Sequence, residues 1–285
     1  MSKQNFYQRL SRMNIQENET AGILQMVQQI RKDHPRMALR TLYRMIRPET
    51  MGRDKFEILC TRHGYNVRKQ KNFRVTTNSY GVTRFPNLIK DIELTGVNQV
   101  FVSDITYYEL KGRFYYLTFI MDLFNREIVG ASVSDNLRTE NTTIPALHQL
   151  IRLRGSQNLK QAIFHSDGGG QYYSKDFKKI TRKLEMKNSM TQEKVNENSH
   201  AERLNGIIKN NYLYPYNPGK QEELRKDLKK AVWMYNNQKP HQSLNNLTPV
   251  EYREFNTIDN ENISKRYFPL TTAKHQYKKE KLMSN

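Results

Sequence analysis

The feature that most restricts the fold is a change of apolar period at Val97. Before it, apolar residues recur at helical spacing; after it they form strand-like runs, NQVFVSDITYY, RFYYLTFIMD and REIVGASVS. Lys111-Gly112 separates the first two runs and Asn125 precedes the third. Connections this short only suit antiparallel neighbours, so the three runs predict a meander. A helical segment over 142–152 follows, with Ile144, Leu147, Leu150 and Ile151 on one face, and then a short apolar strand over 161–164 that leads into His165-Ser166-Asp167.

Three strands, a helix and a fourth strand form the core of the ribonuclease-H-like fold. We therefore expect an α/β chain: a mixed five-stranded sheet flanked by helices, with a small all-α region before it. Further helices are expected near 175–184, 198–212, 221–237 and 249–255. The last has a clear start, with Thr248 as N-cap, Pro249 at the first helical position and Glu251 completing a capping box. Ahead of Val97, three short helices are expected between Glu19 and Gly64, broken at His34-Pro35 and around Pro48. Their arginines at 36, 40, 44, 47, 53 and 62 suit a helix-turn-helix DNA-binding unit, or equally a small bundle with a solvated basic face. The expected organisation is 1–64 helical, 65–96 a basic linker, 97–255 the α/β domain and 256–285 a basic polar tail.

The chain carries 47 Lys and Arg against 28 Asp and Glu, a formal charge of +19, which makes polyanions its natural partners. Arg68, Lys69 and Lys71 in the linker are candidates to track a DNA backbone. The single cysteine, Cys60, lies in an apolar helical pattern and reads as a buried structural thiol. No apolar run is long enough to span a bilayer, and the N-terminus lacks a signal-peptide core. A cytoplasmic protein without membrane contact is expected, nucleoid-associated when bound to DNA.

In so basic a chain, acids in apolar surroundings stand out. Asp104 lies within VFVSDITYY, where an unpaired carboxylate is costly and a metal or a cation would explain it; a salt-bridged strand end is the alternative. Asp167 opens HSDGGGQY, whose glycines permit a sharp turn and close approach by another chain; an ordinary Asp-Gly turn also fits. In SHAERLNGIIKN, Ala201, Leu204, Ile207 and Ile208 make a buried stripe. Asn198, Glu202, Asn205 and Lys209 share the neighbouring face. Asp122 ends the second strand, and turn capping accounts for it.

Several of these motifs together resemble the IS-three family of insertion-sequence transposases, specifically the second-frame product with a retroviral-integrase-type catalytic domain. The matching residues are Asp104-Ile105-Thr106-Tyr107, Asp122-Leu123 with Arg126 and Ile128-Val129-Gly130, and His165-Ser166-Asp167 with Gly170-Gln171-Tyr172. Ala201-Glu202 with Lys209, Tyr235-Asn236, Pro240-His241, Ser243-Leu244 and Thr248-Pro249 continue the match. The resemblance implies that Asp104, Asp167 and Glu202 are both catalytic residues and ligands of two Mg2+ ions, with Mn2+ as a substitute. It implies Lys209 as a DNA-contacting residue, with His165, Arg203, Lys239 and His241 as further DNA contacts. It also implies metal-dependent cleavage and joining of double-stranded DNA at transposon ends and target, by a homo-oligomer. An upstream helix-turn-helix and coiled-coil product of the same element is a further expected partner.

The chain departs from the family pattern at Phe101, where tryptophan is usual, at Lys239, where arginine is usual, and in the loop TQEKVNENS. Two other readings stay open at this level: a nuclease of ribonuclease-H type that cuts without joining, and a catalytically silent DNA-binding regulator.

Overall fold

The computed structural model describes residues 3–67, 85–192 and 198–257. A five-stranded sheet has the order β3-β2-β1-β4-β5, with β1 Val100–Leu110, β2 Arg113–Asp122, β3 Ile128–Ser134, β4 Ile163–Ser166 and β5 Lys187–Met190. The first three strands form the expected antiparallel meander, and β4 and β5 add in parallel to β1. The strand expected at 161–164 forms two residues later, which puts Asp167 directly beyond its end.

Helices cover both faces. On one, α4 Thr143–Arg154 and α5 Lys175–Lys183 bury Leu147, Leu150 and Phe177 against Phe101, Ile120 and Phe164. Phe101, in the usual tryptophan position, is fully buried there. On the other, α6 Ser199–Ile208 leads through a π-helical turn, Lys209–Leu213, into the one-turn α7 Tyr214–Tyr216. With α8 Gln221–Asn237 it buries Ala201, Leu204, Ile208, Leu224 and Leu228 against Val102, Leu117 and Phe119. The last helix, α9 Pro249–Thr257, begins with the expected capping box. Glu251 N–H donates to Thr248 Oγ1 at 3.2 Å, and Thr248 N–H donates to Glu251 Oε2 at 2.8 Å.

Asp122 caps its turn as expected: Oδ2 accepts from Asn98 N–H and Oδ1 from Phe124 N–H. Close by, Glu127 is almost wholly buried and accepts from Arg154 at 2.6 Å and from Arg253 of α9 at 2.5 Å. Two arginines offset the cost of burying that carboxylate, and they fasten α4 and α9 to the β2–β3 turn.

The N-terminal helices are α1 Lys3–Asp33, α2 Leu39–Ile46 and α3 Arg53–Arg62, with a core of their own around Val27, Leu42, Phe56 and the buried Cys60. The first is 31 residues long and starts well before Glu19. Only Ile23 and Val27 are buried in it, so residues before Glu19 show no core-facing stripe. Good helix formers extend the helix there without the periodicity that would reveal it. His34, buried at the end of α1, shares a hydrogen bond with Tyr212 and another with Gln238, which docks this helical unit on the core. Residues 85–96 of the expected linker pack as well: Leu88 N–H donates to Ser189 Oγ, and Ile89 and Leu94 lie against the core. Arg68, Lys69 and Lys71 lie outside the described residues. Among the described residues, no helix is long and apolar enough to cross a membrane.

Candidate active site

Parallel pairing of β1 and β4 sets the site. Ser103 pairs with Ser166, so the next residues along the two strands are Asp104 and Asp167. Neighbouring strands run about 4.8 Å apart, and two carboxylates at one level must feel each other. Burial pushes the Asp104 carboxyl well above its ordinary range, with the Asp167 charge next in effect. Asp167 is raised too, by burial first and then by Glu202, against the Gly169 N–H it accepts from at 3.1 Å. Burial and neighbouring like charge together make ionisation of either carboxyl costly. A Cβ at Gly169 would stand 3.0 Å from Asp167 Oδ1, so the carboxylate would have to shift to admit one.

Helix α6 is tied to β1 by three side chains from the face predicted for it. Asn198 Nδ2 donates to Ser103 O at 3.0 Å, Asn205 Nδ2 to Asp104 Oδ2 at 2.6 Å, and Lys209 Nζ to Thr106 Oγ1 at 2.7 Å. Ala201, Leu204 and Ile208 fill the core beneath, which leaves Glu202 exposed on the first turn of the helix. Its charge raises both aspartates. The three acids are not drawn into a closed cage: among the described residues, no three His, Cys, Asp or Glu side chains are grouped closely enough to hold a metal ion. Glu202 follows residues 193–197, which are outside the described part.

Beneath the aspartates, the Tyr172 hydroxyl shares a hydrogen bond with Ser103 Oγ at 2.9 Å, and Ser103 Oγ donates to Phe119 O. Lys209 also lies 5.1 Å from the centre of the Tyr107 ring; burial lowers its pKa and Asp104 opposes that.

The other candidates fall elsewhere. His165 is fully buried, with Nδ1 2.9 Å from Ser189 Oγ, and so supports the β4–β5 pairing from inside. Arg203 is exposed on the flank of α6 away from the aspartates, and Lys239 and His241 gather around Tyr235 beyond α8. Asn198 and Asn205 were grouped with Glu202 on the α6 face but not singled out as site residues. Their spacing from Lys209 was the available signal.

Residues 95–194 match the family model described as an integrase core domain, and residues 185–249 match a second model of that description. The chain is 30% identical over 208 residues to the insertion element IS600 uncharacterized 31 kDa protein of Shigella sonnei, covering 72% of this chain and 75% of the relative. It is 28% identical over 187 residues to the putative transposase InsK for insertion sequence element IS150 of Escherichia coli strain K12, covering 65% of each. In fold it is similar to a chain of the simian T-cell lymphotropic virus intasome in complex with PP2A regulatory subunit B56 gamma. That match has a TM-score of 0.50 at 21% identity and covers 67% of this chain and 63% of that one.

Proposed function

The chain belongs to the insertion-sequence transposases that carry an integrase core domain, and from that premise we propose that it cleaves and joins DNA strands with Asp104, Asp167 and Glu202. The side-by-side placement of Asp104 and Asp167, with both carboxyls raised by burial and by neighbouring acids, carries this reading. Hard carboxylate oxygens are a donor set that fits magnesium, or manganese in its place. Asp104, Asp167 and Glu202 would hold it. Divalent ions bound there, two in this reading, would activate an attacking oxygen and stabilise a leaving one.

The chain's own residues do the rest. Asn205 fixes the orientation of the Asp104 carboxylate, and Gly169 N–H fixes Asp167. Lys209 stands on the same helix face two turns beyond Glu202, placed to turn from Thr106 to a DNA phosphate. One site serves both steps because only the nucleophile differs, water for the cut and a 3′ hydroxyl for the joining. The working unit is a homo-oligomer on double-stranded DNA, bound to element ends and target. The N-terminal helices and an upstream helix-turn-helix product of the same element contribute to end recognition.

The test is a joining assay with a labelled, pre-cleaved element end, a target duplex and magnesium. A longer labelled product is expected from the wild type and none from Glu202→Gln. Full joining by Glu202→Gln would remove Glu202 from the site, and cutting without any joined product would replace the transposase reading by a nuclease.

A further inference from the structure

The β1–β2 hairpin outgrows the sheet that carries it. β4 pairs with β1 only from Val100 to Ser103, and β3 pairs with β2 only as far as Tyr116, which stands opposite Tyr107. From that pair to the turn the two strands run on as a ribbon, with no third strand on either edge among the described residues. Lys111 and Gly112 sit at φ 50° and 78°, the left-handed pair that a two-residue hairpin turn needs, so the ribbon is closed tightly.

Its two faces differ. On one, Tyr108 and Leu110 are buried, Tyr115 packs against the core, and Tyr108 stacks on Tyr214 of α7 with ring centres 5.2 Å apart. On the other, Tyr107 and Phe114 meet edge to face at 5.6 Å, and neither belongs to an apolar core. Phe114 is 52% exposed, so its ring forgoes the stabilisation that burial would give. This open face adjoins the acid site. Tyr107 lies three residues beyond Asp104 on the same strand, about 10 Å away. Lys209 Nζ, 2.7 Å from Thr106 Oγ1 and 3.2 Å from Tyr107 O, stands 5.1 Å from the centre of the Tyr107 ring.

We propose that Tyr107 and Phe114 form a stacking platform for an unpaired DNA base, beside the phosphate held by Lys209. The inference rests on the transposase reading, which supplies the DNA and sets its backbone at Lys209. Aromatic side chains accept any base, because every base has a π face. Inside a duplex both faces of a base are already stacked. The platform therefore takes a base at a strand end or one freed next to a cut, where unstacking costs least. Glu109, exposed and directly opposite Phe114, keeps phosphates off the ring itself. The exposed Lys111 and Arg113 of the turn attract the backbone further out.

The experiment uses the full chain without added metal and an element-end duplex whose strand at the cut ends in an unpaired segment. Single 2-aminopurines, fluorescent bases that are quenched on stacking, are placed at successive positions of that segment, and affinity is read by anisotropy across a salt series. The wild type should quench one position. Phe114→Leu, which keeps an apolar side chain on the ribbon but no ring, should abolish that quenching and weaken binding about tenfold. The slope of log K against log salt should stay at its wild-type value, because no phosphate contact is lost. A fully paired duplex should bind both proteins alike, and Phe114→Trp should restore the quenching. A folded Phe114→Leu with unchanged quenching and affinity overturns the platform, as does equal weakening on both duplexes. So does loss of self-association by Phe114→Leu in sedimentation with quenching intact, which would make this face a contact between copies of the chain. If Phe114→Leu does not fold, Phe114→Thr, a strand-favouring residue for an exposed position, takes its place under the same criteria. A wild type that quenches but joins no strands once magnesium is added would leave the platform standing and remove the transposase reading. Joining without quenching would do the reverse.

Discussion

Asp104 and Asp167 stand at the same level of two parallel strands, one residue beyond the paired Ser103 and Ser166. Folding brings together two carboxylates that both resist ionisation. Asp104→Asn removes one of these two buried acids and with it the cost of ionising the pair, so the variant should melt at a higher temperature than the wild type in EDTA. Magnesium should raise the wild-type melting temperature and do little for the variant. Joining should fall by at least about 10²–10³-fold. A variant that melts lower in EDTA yet still gains stability from magnesium would contradict the placement of the metal at Asp104.

Two glycines separate fold from chemistry. A Cβ on Gly130 would stand 2.3 Å from the Ala146 carbonyl oxygen in α4, which is backbone and cannot swing away. Gly130→Ala should therefore cost about 1–3 kcal/mol or more through overpacking, read from urea unfolding. A Cβ on Gly169 meets instead the Asp167 carboxylate at 3.0 Å and Gln171 Oε1 at 3.1 Å. Gly169→Ala should leave the unfolding midpoint close to wild type and lower the joining rate. The reverse pattern would mean that the two close approaches have been assigned the wrong roles.

Four strands and the α6 face were legible because they rest on local periodicity, whereas β5, four residues reading KNSM, carries no such pattern and was not located. Val100 to Leu110 reads as a strand on its own, and Asn198, Glu202, Asn205 and Lys209 fall on one helix face by spacing alone. What joins distant segments was not legible. The His34–Tyr212 pair spans 178 residues, and Glu127 meets Arg253 across 126. Arg126 was visible only as one residue of a family motif; that its buried Nη1 has no hydrogen-bond partner among the described residues takes the structure to see. The early part of α1 was missed for the opposite reason: it forms a helix with little to bury, so no pattern records it.

The two arginines on Glu127 should not be equivalent. Arg154 is 6% exposed and Arg253 25% exposed in their side chains. Arg154→Met leaves Glu127 and Asp122 buried with less compensation, and about 3–5 kcal/mol of stability should be lost. Arg253→Met should cost less, because Arg154 still holds Glu127 from inside. Urea denaturation of both variants checks the order, and a larger loss for Arg253→Met would show that anchoring α9 matters more than burying the charge.

Docking of the N-terminal helices should weaken in acid. Burial lowers the His34 pKa below its ordinary 6.5, and the Gln238 contact only partly opposes this. The folded state therefore keeps His34 neutral where the unfolded chain would protonate it. Its contribution is fully present above about pH 6.5 and is lost as pH falls through that value toward the lowered folded pKa, at up to about 1.4 kcal/mol per pH unit. His200 and His241 are lowered as well and act with the same sign, so the informative quantity is the difference between two proteins. His34→Gln removes one titrating group while keeping a polar side chain opposite Tyr212. Its unfolding free energy should be below wild type at pH 7.5, with the gap narrowing at pH 5.5. A gap that stays constant between the two would show that His34 does not change its protonation on folding, and the acid sensitivity would then belong to the other histidines.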